Sequence, residues 1–553
     1  MSRMQRAAAS LPNDLDALRS LLIEHAVRNE QLQHDYAQLE VDHRAVVNQS
    51  AQRVKQLEID NERLQTRVVI LQEQLHLALA RRYAARSEQL SPDQVRLFDE
   101  AEVSAETATV EAEAALAGQT GVTGSAPVRG KRGRKPLPET LPRIEIRHEL
   151  PEAERYCPHD GAELKAIGTV ISEQLDIIPA QIRVLRHVRQ QYACACGQCI
   201  KTAPLAPQPI PKSLAAPGLL AHVTVSKYQD ALPLYRQETI LQRIGVELPR
   251  ATLANWMIQA GTLVQPLINL LRDRLLAYDL IQMDETPVHV LKEPGKTAQS
   301  KSYLWLARGG PPDRPVILYD YDPSRGAEVP KRLLSGFKGY LQTDGYAGYH
   351  AVAAANQLTH VGCWAHARRK FDEAIKAQGQ HPPPTLAQQG LLWIQKLYGV
   401  EKTVRDVSPE ERHAYRRQQA EPILKNLRTW LDESQPQVPP ATATGKALSY
   451  LHHEWTKLIR YLDDGRLEID TNRAENAIRP FVLGRKNWLF SDSVKGVKAS
   501  ANLYSLIETA KANGLEPYAY LRHLFTELPQ ANTVEAIEAL VPGNFKPDHI
   551  AVR

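Results

Sequence analysis

Apolar side chains recur three and four residues apart along the N-terminal stretch of the chain. Val54, Leu57, Asn61, Leu64, Val68, Leu71, Leu75 and Ala78 fall on alternating a and d positions, with mostly Leu at d and Asn61 at one a position. Leu32, Tyr36, Leu39 and Val46 follow the same rule in another frame, a change equivalent to a four-residue stutter. Residues 14–90 hold no Gly and no Pro, and the next Pro is Pro92. The pattern predicts a helix over 14–92. A lone helix is marginal in water, so its apolar seam needs a partner. We expect a parallel dimeric coiled coil, with Leu57, Asn61, Leu64 and Leu71 in the seam and Asn61 fixing the register against its copy. The alternative is an amphipathic helix folded against its own chain.

The periodicity then breaks. Residues 101–128 are small and acidic with almost no large apolar groups, as in a linker. The sign flips at Arg129, Lys131, Arg132, Arg134 and Lys135. The stretch KRGRKP resembles an AT-hook, in which Arg132, Arg134 and Lys135 would lie in a narrow minor groove. Lys135 stands where such hooks usually carry Pro, and a solvated basic linker is the alternative. Residues 219–260 read as helical. Gln237–Arg243 and Ala251–Ala260, joined across Gly245–Pro249, have the form of a helix-turn-helix with Thr252, Asn255 and Trp256 on the second helix. Plain helix packing explains the same pattern.

Beyond residue 276 the pattern predicts strands at Ile281–Val290, Ser302–Ala307 and Val316–Tyr321, and a short one within Gly339–Gly345. Helix formers dominate 373–460, including Leu391–Tyr398 and Arg412–Trp430. The segments are 14–92 coiled coil, 93–143 linker with the basic stretch, 144–212 zinc-binding domain and 213–275 helix-turn-helix-like region. A strand-bearing α/β core follows at 276–372, a helical insertion at 373–460, the remainder of the core at 461–528 and a tail at 529–553. The fold class is multidomain α+β.

Composition changes this picture little. The 553 residues carry 68 Lys and Arg against 63 Asp and Glu, a net +5, so a histone-like protein is excluded while local basic faces are not. No apolar run approaches the ~20 residues needed to span a bilayer, and the N-terminus does not read as a secretory signal. A cytoplasmic protein, associated with the nucleoid when bound to DNA, is expected.

Four of the five cysteines lie between Cys157 and Cys199. Such clustering suits metal binding better than a disulfide scaffold. Cys196-x-x-Cys199 is a well-spaced zinc knuckle, and Cys157 with His159 or Asp160 forms an imperfect first one. A structural Zn²⁺ on Cys157, Asp160, Cys196 and Cys199 is expected, with His159 or Cys194 as alternatives. Free thiols without metal, or a redox pair, are the other readings. Cys363 reads as a small core residue.

Asp284 within the first strand, Asp344 at the end of another and Glu475 on a later helix form an acidic set. A buried carboxylate is costly unless a cation or partner meets it. Three of them holding two Mg²⁺ (or Mn²⁺) ions about 3.5–4 Å apart would activate a water or hydroxyl and stabilise a leaving oxygen. Singly, each has a structural reading: Asp344 before Gly345 as a turn residue, Asp470 or Thr471 as a helix cap. Basic residues gather nearby. Between Arg473 and Lys498 six basic residues, among them Arg479, Arg485 and Lys486, outnumber two acidic ones, with Trp488 and Phe490 interleaved. His366, Arg368, Arg369 and Lys370 form another run. Both are candidate DNA paths, or solvated basic faces.

The strings YCPHDGAEL, QMDETPV, LQTDGYAGY, CWAHARRKF, TNRAENAIRPFVLGRKNWLF and ANLYSLIETAKANGLEPYAYL, in this order, resemble the transposase of the insertion-sequence-sixty-six family. The likeness runs from about Arg129 to about Leu528. It implies an RNase H-like fold with a D-D-E triad at Asp284, Asp344 and Glu475, separated by 344 − 284 = 60 and 475 − 344 = 131 residues. It also implies 3′-end cleavage and strand transfer on transposon-end and target DNA, a homodimer or higher oligomer, and accessory element-encoded proteins. The first zinc knuckle departs from the family's usual Cys-x-x-Cys. A nuclease that cuts without joining, or an inert DNA-binding regulator, are the competing functions.

Overall fold

The computed structural model describes residues 14–83, 182–193, 200–378 and 385–545. The chain forms two compact units, one of residues 1–105 and 207–553, the other of 106–206. In the smaller unit, β1 (Gln191–Ala193) pairs antiparallel with β2 (Ile200–Thr202). The expected AT-hook residues Arg132, Arg134 and Lys135 lie outside the described residues, as do Cys157, His159, Asp160, Cys194, Cys196 and Cys199.

In the larger unit, α1 (Leu15–Tyr83) is a single 69-residue helix, roughly 100 Å long at 1.5 Å per residue. Gln-to-Asp pairs four residues apart, Gln31–Asp35, Gln38–Asp42 and Gln56–Asp60, line its surface. The seam is exposed: Leu57, Leu64 and Leu71 are 54%, 65% and 52% accessible, and Asn61 is exposed among them. The C-terminal end of the helix does touch its own chain, since Glu73 accepts from the Ala443 amide (2.9 Å) and the His76 ring meets the Ala377 carbonyl (3.0 Å).

Four helices precede the sheet: α2 (Pro217–Tyr228), α3 (Leu234–Arg243), α4 (Arg250–Leu263) and α5 (Gln265–Ala277). Proline opens α2 and α5, where a missing amide hydrogen costs nothing. The α3–α4 pair has the expected helix–turn–helix order around Gly245, whose φ of +80° suits glycine. Its second helix differs from the DNA-reading expectation at Trp256, which is buried beside Leu253 and Met257 and is closed to DNA. Asn255 remains exposed.

The sheet is built from β3 (Leu280–Lys292), β4 (Lys301–Gly309), β5 (Val316–Asp322), β6 (Tyr340–Gln342) and β7 (Thr359–Val361), with α6 (Glu328–Leu333) and α7 (Ala347–Asn356) in the connections. Spatial order is β5-β4-β3-β6-β7. The first three strands run antiparallel to one another, and β6 and β7 then add parallel to β3. Gly339 (φ +125°) allows β6 to begin against the Asp279 carbonyl, where a Cβ would collide with backbone. Gln282 faces Gln342 in register, and their side chains are joined by a 2.9 Å hydrogen bond. Gln342 also donates to the Glu468 carbonyl (2.7 Å), and Arg308 donates to Gln282 (3.2 Å). Both glutamines are fully buried.

A second apolar core belongs to a helical lobe of α8 (Trp364–Ala377), α9 (Leu386–Thr403), α10 (Pro409–Ser434) and α11 (Ala443–Leu458). Capping boxes at Thr385/Gln388 and Ser408/Glu411 start α9 and α10. Trp364 and Phe371 already pack into this core, so the lobe takes in residues ahead of position 373, where composition placed its start. Its one fully buried arginine among the described residues, Arg416, pairs bidentately with Glu401 (2.8 and 2.7 Å) and donates to the Tyr461 and Leu467 carbonyls (both 2.9 Å). This ties α10 to the segment that returns to the sheet.

That segment leads into α12 (Asn472–Trp488), β8 (Ser491–Ser493), which pairs parallel with the far end of β3, and α13 (Val494–Ala512). Hydroxyls of α13 satisfy the outer edge of β5: Thr509 bonds both amide and carbonyl of Ile317, and Ser505 accepts from the Tyr319 amide. An open strand edge is thereby covered. After α14 (Pro517–Glu527) and α15 (Val534–Ala539), the stretch expected to be a tail at 529–553 is instead packed as far as it is described. Val541 is fully buried, Leu540 accepts from the Tyr520 hydroxyl, and Glu538 pairs with Arg274 at 2.8 Å.

Two substitutions test these anchors. Arg416→Ala leaves the half-buried Glu401 and two buried carbonyls without their partner and should destabilise the protein by about 3 kcal/mol in urea denaturation. Gln342→Leu leaves Gln282 unsatisfied and should cost about 1–3 kcal/mol in the same measurement; an unchanged midpoint would show that the glutamine bond does not hold β3 to β6.

Candidate active site

Strand register brings the first two acids together. Asp284 and Asp344 each stand two residues beyond the paired glutamines, and strand side chains alternate with period two. Both aspartates therefore leave neighbouring parallel strands toward the same side. Asp284 accepts from the Glu285 amide (2.8 Å), and Asp344 from the Tyr346 amide (3.0 Å), so Asp344 also serves the turn expected of it.

Glu475 arrives from the first turn of α12 and is 4% exposed. Neither of its carboxylate oxygens has a hydrogen-bond partner among the described residues. The nearest nitrogen groups are the cationic Arg369 Nη2, 3.7 Å from Oε2, and the His366 ring, whose Nδ1 lies 3.8 Å from Oε1. Burial pushes the Glu475 carboxyl up to about 7, Arg369 opposes that shift, and the negative charges of Asp470 and Asp344 add to it. Burial likewise raises Asp284 well above the carboxylate range, reinforced by Glu475, Glu285 and Asp344. Asp284 thus feels the charge of both Glu475 and Asp344, and Glu475 that of Asp344, although 60 and 131 residues separate the three in sequence.

Neighbouring groups hold this arrangement. Glu285 turns away from Asp284 into a buried pairing with Arg325 (2.8 Å from Nε) and the Tyr349 hydroxyl. Arg325 also lies 4.1 Å from the Tyr346 ring centroid. Thr471 and Asp470 were expected as caps. Asp470 does accept from the Asn472 amide (3.0 Å) and from the Tyr398 hydroxyl (2.8 Å), whereas Thr471 makes no side-chain cap and its hydroxyl and amide donate to Cys363 Sγ, each at 3.3 Å. Cys363 is fully buried, as a core residue would be. Sequence reasoning missed its contact with the Glu475 helix, for which the only signal was Cys363-x-x-His366 at one helical turn.

The basic residues divide. Arg369 reaches the site. His366 does not add a positive charge to its run, because burial and then Arg369 push its ring down to about 4. Arg368 and Arg479 are half-buried on α8 and α12, while Lys486 is exposed. Arg485 is half-buried with Nη1 3.4 Å from Thr286, two residues beyond Asp284. Trp488 packs on Phe481 with ring centroids 5.3 Å apart, while Phe490 is 45% exposed.

Unpartnered buried carboxylate oxygens beside two further acids fit a divalent cation chemically: positive charge would relieve the repulsion and meet oxygen ligands.

Comparison with known proteins bears on the whole chain. Residues 212–499 match the family described as Transposase IS66 family, and 505–542 match its C-terminal element. Residues 154–197 match the zinc-finger binding domain of transposase IS66, which covers Cys157, His159, Asp160, Cys194 and Cys196, with Cys199 just beyond. Residues 70–146 match a segment described as Transposase C of IS166 homeodomain. The uncharacterized protein y4qI of Sinorhizobium fredii is 33% identical over 98% of this chain and 99% of its own length. A second from that organism, y4jD, is 35% identical over 75% of this chain and 82% of its own. With a family model spanning more than half its length and its acids gathered at one site, the chain belongs to the IS66 transposase family.

Proposed function

We propose that this chain cuts the 3′ ends of its element and transfers the freed 3′-hydroxyl into target DNA, using Asp284, Asp344 and Glu475 as ligands for two Mg²⁺ or Mn²⁺ ions. The observation that carries this reading is the convergence of the half-buried Asp284 and Asp344 on the buried Glu475, whose carboxylate has no hydrogen-bond partner among the described residues. The antiparallel β5-β4-β3 meander extended by parallel β6 and β7 supports an RNase H-like core interrupted by the helical lobe. Bound ions would activate the attacking oxygen and stabilise the departing one. The protein's part is positioning. Asp284, which feels both other acids, would be the ligand shared by the ions, and Asp344 and Glu475 would each hold one of them. Arg369 is released from Glu475 toward a DNA phosphate, and Arg368, Arg479, Arg485 and Lys486 extend the phosphate path.

Other parts have supporting roles in the same reading. Cys157, Asp160, Cys196 and Cys199 hold structural Zn²⁺, with His159 or Cys194 as substitutes, and Arg132, Arg134 and Lys135 enter a minor groove. The exposed seam of α1 pairs two protomers, which two DNA ends require. Among the described residues no helix is long and apolar enough to cross a membrane; the proposed place of action is nucleoid DNA in the cytoplasm.

Incubation with labelled element-end DNA, target plasmid and Mg²⁺ should give joined products. Asp284→Asn, Asp344→Asn and Glu475→Gln should each lower the rate of cleavage and joining by about a thousandfold while DNA binding persists. Cleavage without joining would instead identify a nuclease, and undiminished activity in Asp284→Asn would remove the metal-triad mechanism. Leu64→Lys should convert a dimer into a monomer in analytical ultracentrifugation; an unaltered mass would place the oligomer interface elsewhere.

A further inference from the structure

Behind the acidic site lies a donor set softer than Mg²⁺ requires. Cys363 Sγ, a ring nitrogen of His366 and a carboxylate oxygen of Glu475 all lie within 4.8 Å of one another. Cys363 is the residue from which α8 starts, His366 follows within the first turn, and Glu475 enters from the first turn of α12. The group is built rather than incidental. Among the described residues neither oxygen of the buried Glu475 has a hydrogen-bond partner, and neither does the buried His366 Nδ1, 3.8 Å from one of them. Two donors from Thr471, its amide and its hydroxyl, converge on the sulfur at 3.3 Å. Hydrogen bonds to a ligating sulfur from outside the coordination shell are the kind of support that metal sites use to orient and tune their ligands.

We propose that Cys363, His366 and Glu475 form a transition-metal site that takes Zn²⁺, and Cd²⁺ in its place. One sulfur, one imidazole nitrogen and one carboxylate oxygen are the donors Zn²⁺ selects, whereas Mg²⁺ takes oxygen alone. Ligands about 2.0–2.3 Å from a common tetrahedral ion stand some 3.3–3.8 Å apart, so the group need close by only about 1 Å. On binding, a metal–sulfur bond forms and the thiol proton leaves to solvent. Three protein ligands leave one position for water or a DNA phosphate oxygen. The site is separate from the zinc-finger segment at 154–197. It rests on the reading of Glu475 as a metal ligand, and it makes that carboxylate the point where a soft ion and Mg²⁺ compete.

The test titrates the full chain with Cd²⁺ and reads two quantities: cadmium bound per chain, and ultraviolet sulfur-to-cadmium charge-transfer absorption. Cys363→Ser and His366→Ala are compared with the unaltered protein. Cys157, Cys194, Cys196 and Cys199 are the same in all three and contribute equally. The unaltered chain should bind one equivalent more than either variant, and Cys363→Ser should lack the absorption of one thiolate. His366→Ala, whose side chain is 23% exposed, keeps the test decisive if the buried serine variant fails to fold. Equal cadmium content and equal absorption would overturn the site. If that happens while Asp284→Asn still abolishes cleavage, the acidic triad stands and only this site falls. If the extra equivalent is present but Asp284→Asn cleaves normally, the site stands and the triad falls.

Discussion

The placing of Asp284 beside Asp344 depends on one buried polar contact, the hydrogen bond between Gln282 and Gln342. It joins the central strand to its parallel neighbour in a pairing only three residues long. A one-residue slip of β6 would send Asp344 to the opposite face of the sheet. Fully buried amides resist such a slip, because it would leave unpaired polar groups in the core. Gln342 accepts from Gln282 through Oε1 and donates through Nε2 to the Glu468 carbonyl, so the same side chain also locates the segment that leads to Glu475. Arg416 secures that segment from the other side, through the Tyr461 and Leu467 carbonyls.

This framework stores repulsion. Asp284 and Glu475 are both held above their usual carboxylate range, first by burial and then by neighbouring negative charge. Burial without full hydrogen bonding is costly for a carboxylate, and neither oxygen of Glu475 has a hydrogen-bond partner among the described residues. A fold that tolerates this arrangement has a natural complement in divalent cations. Arg369, 3.7 Å from Glu475, gives partial relief with a charge that can be redirected to a phosphate. Glu285 is treated differently from its neighbour Asp284, since Arg325 and Tyr349 engage its carboxylate, although its charge still adds to the field at Asp284.

Local patterns made much of this readable in the chain. Strand alternation located β3, β4 and β5 to within a few residues, and the spacing of apolar residues located α1. The acidic set was legible as three residues, but their meeting depends on strand order and on a helix returning after a lobe, which no local pattern encodes. Trp256 was offered as a DNA-reading residue because helix-turn-helix spacing is local, and its burial is decided by elements far along the chain. The stretch after 528 was expected to be a tail, yet Leu540 and Val541 find a preformed core. His366 looked basic within its run, and only tertiary burial makes it neutral. The linkage of Cys363 to Thr471 crosses 108 residues and has no counterpart in sequence spacing.

The central claim is that Asp284, Asp344 and Glu475 hold divalent cations in common. Anomalous diffraction from crystals of the full chain with element-end DNA, soaked in Mn²⁺, tests it most directly. The account predicts manganese peaks within about 2.5 Å of carboxylate oxygens from all three residues. Well-ordered carboxylates with no manganese among them, or manganese bound only elsewhere, would contradict it.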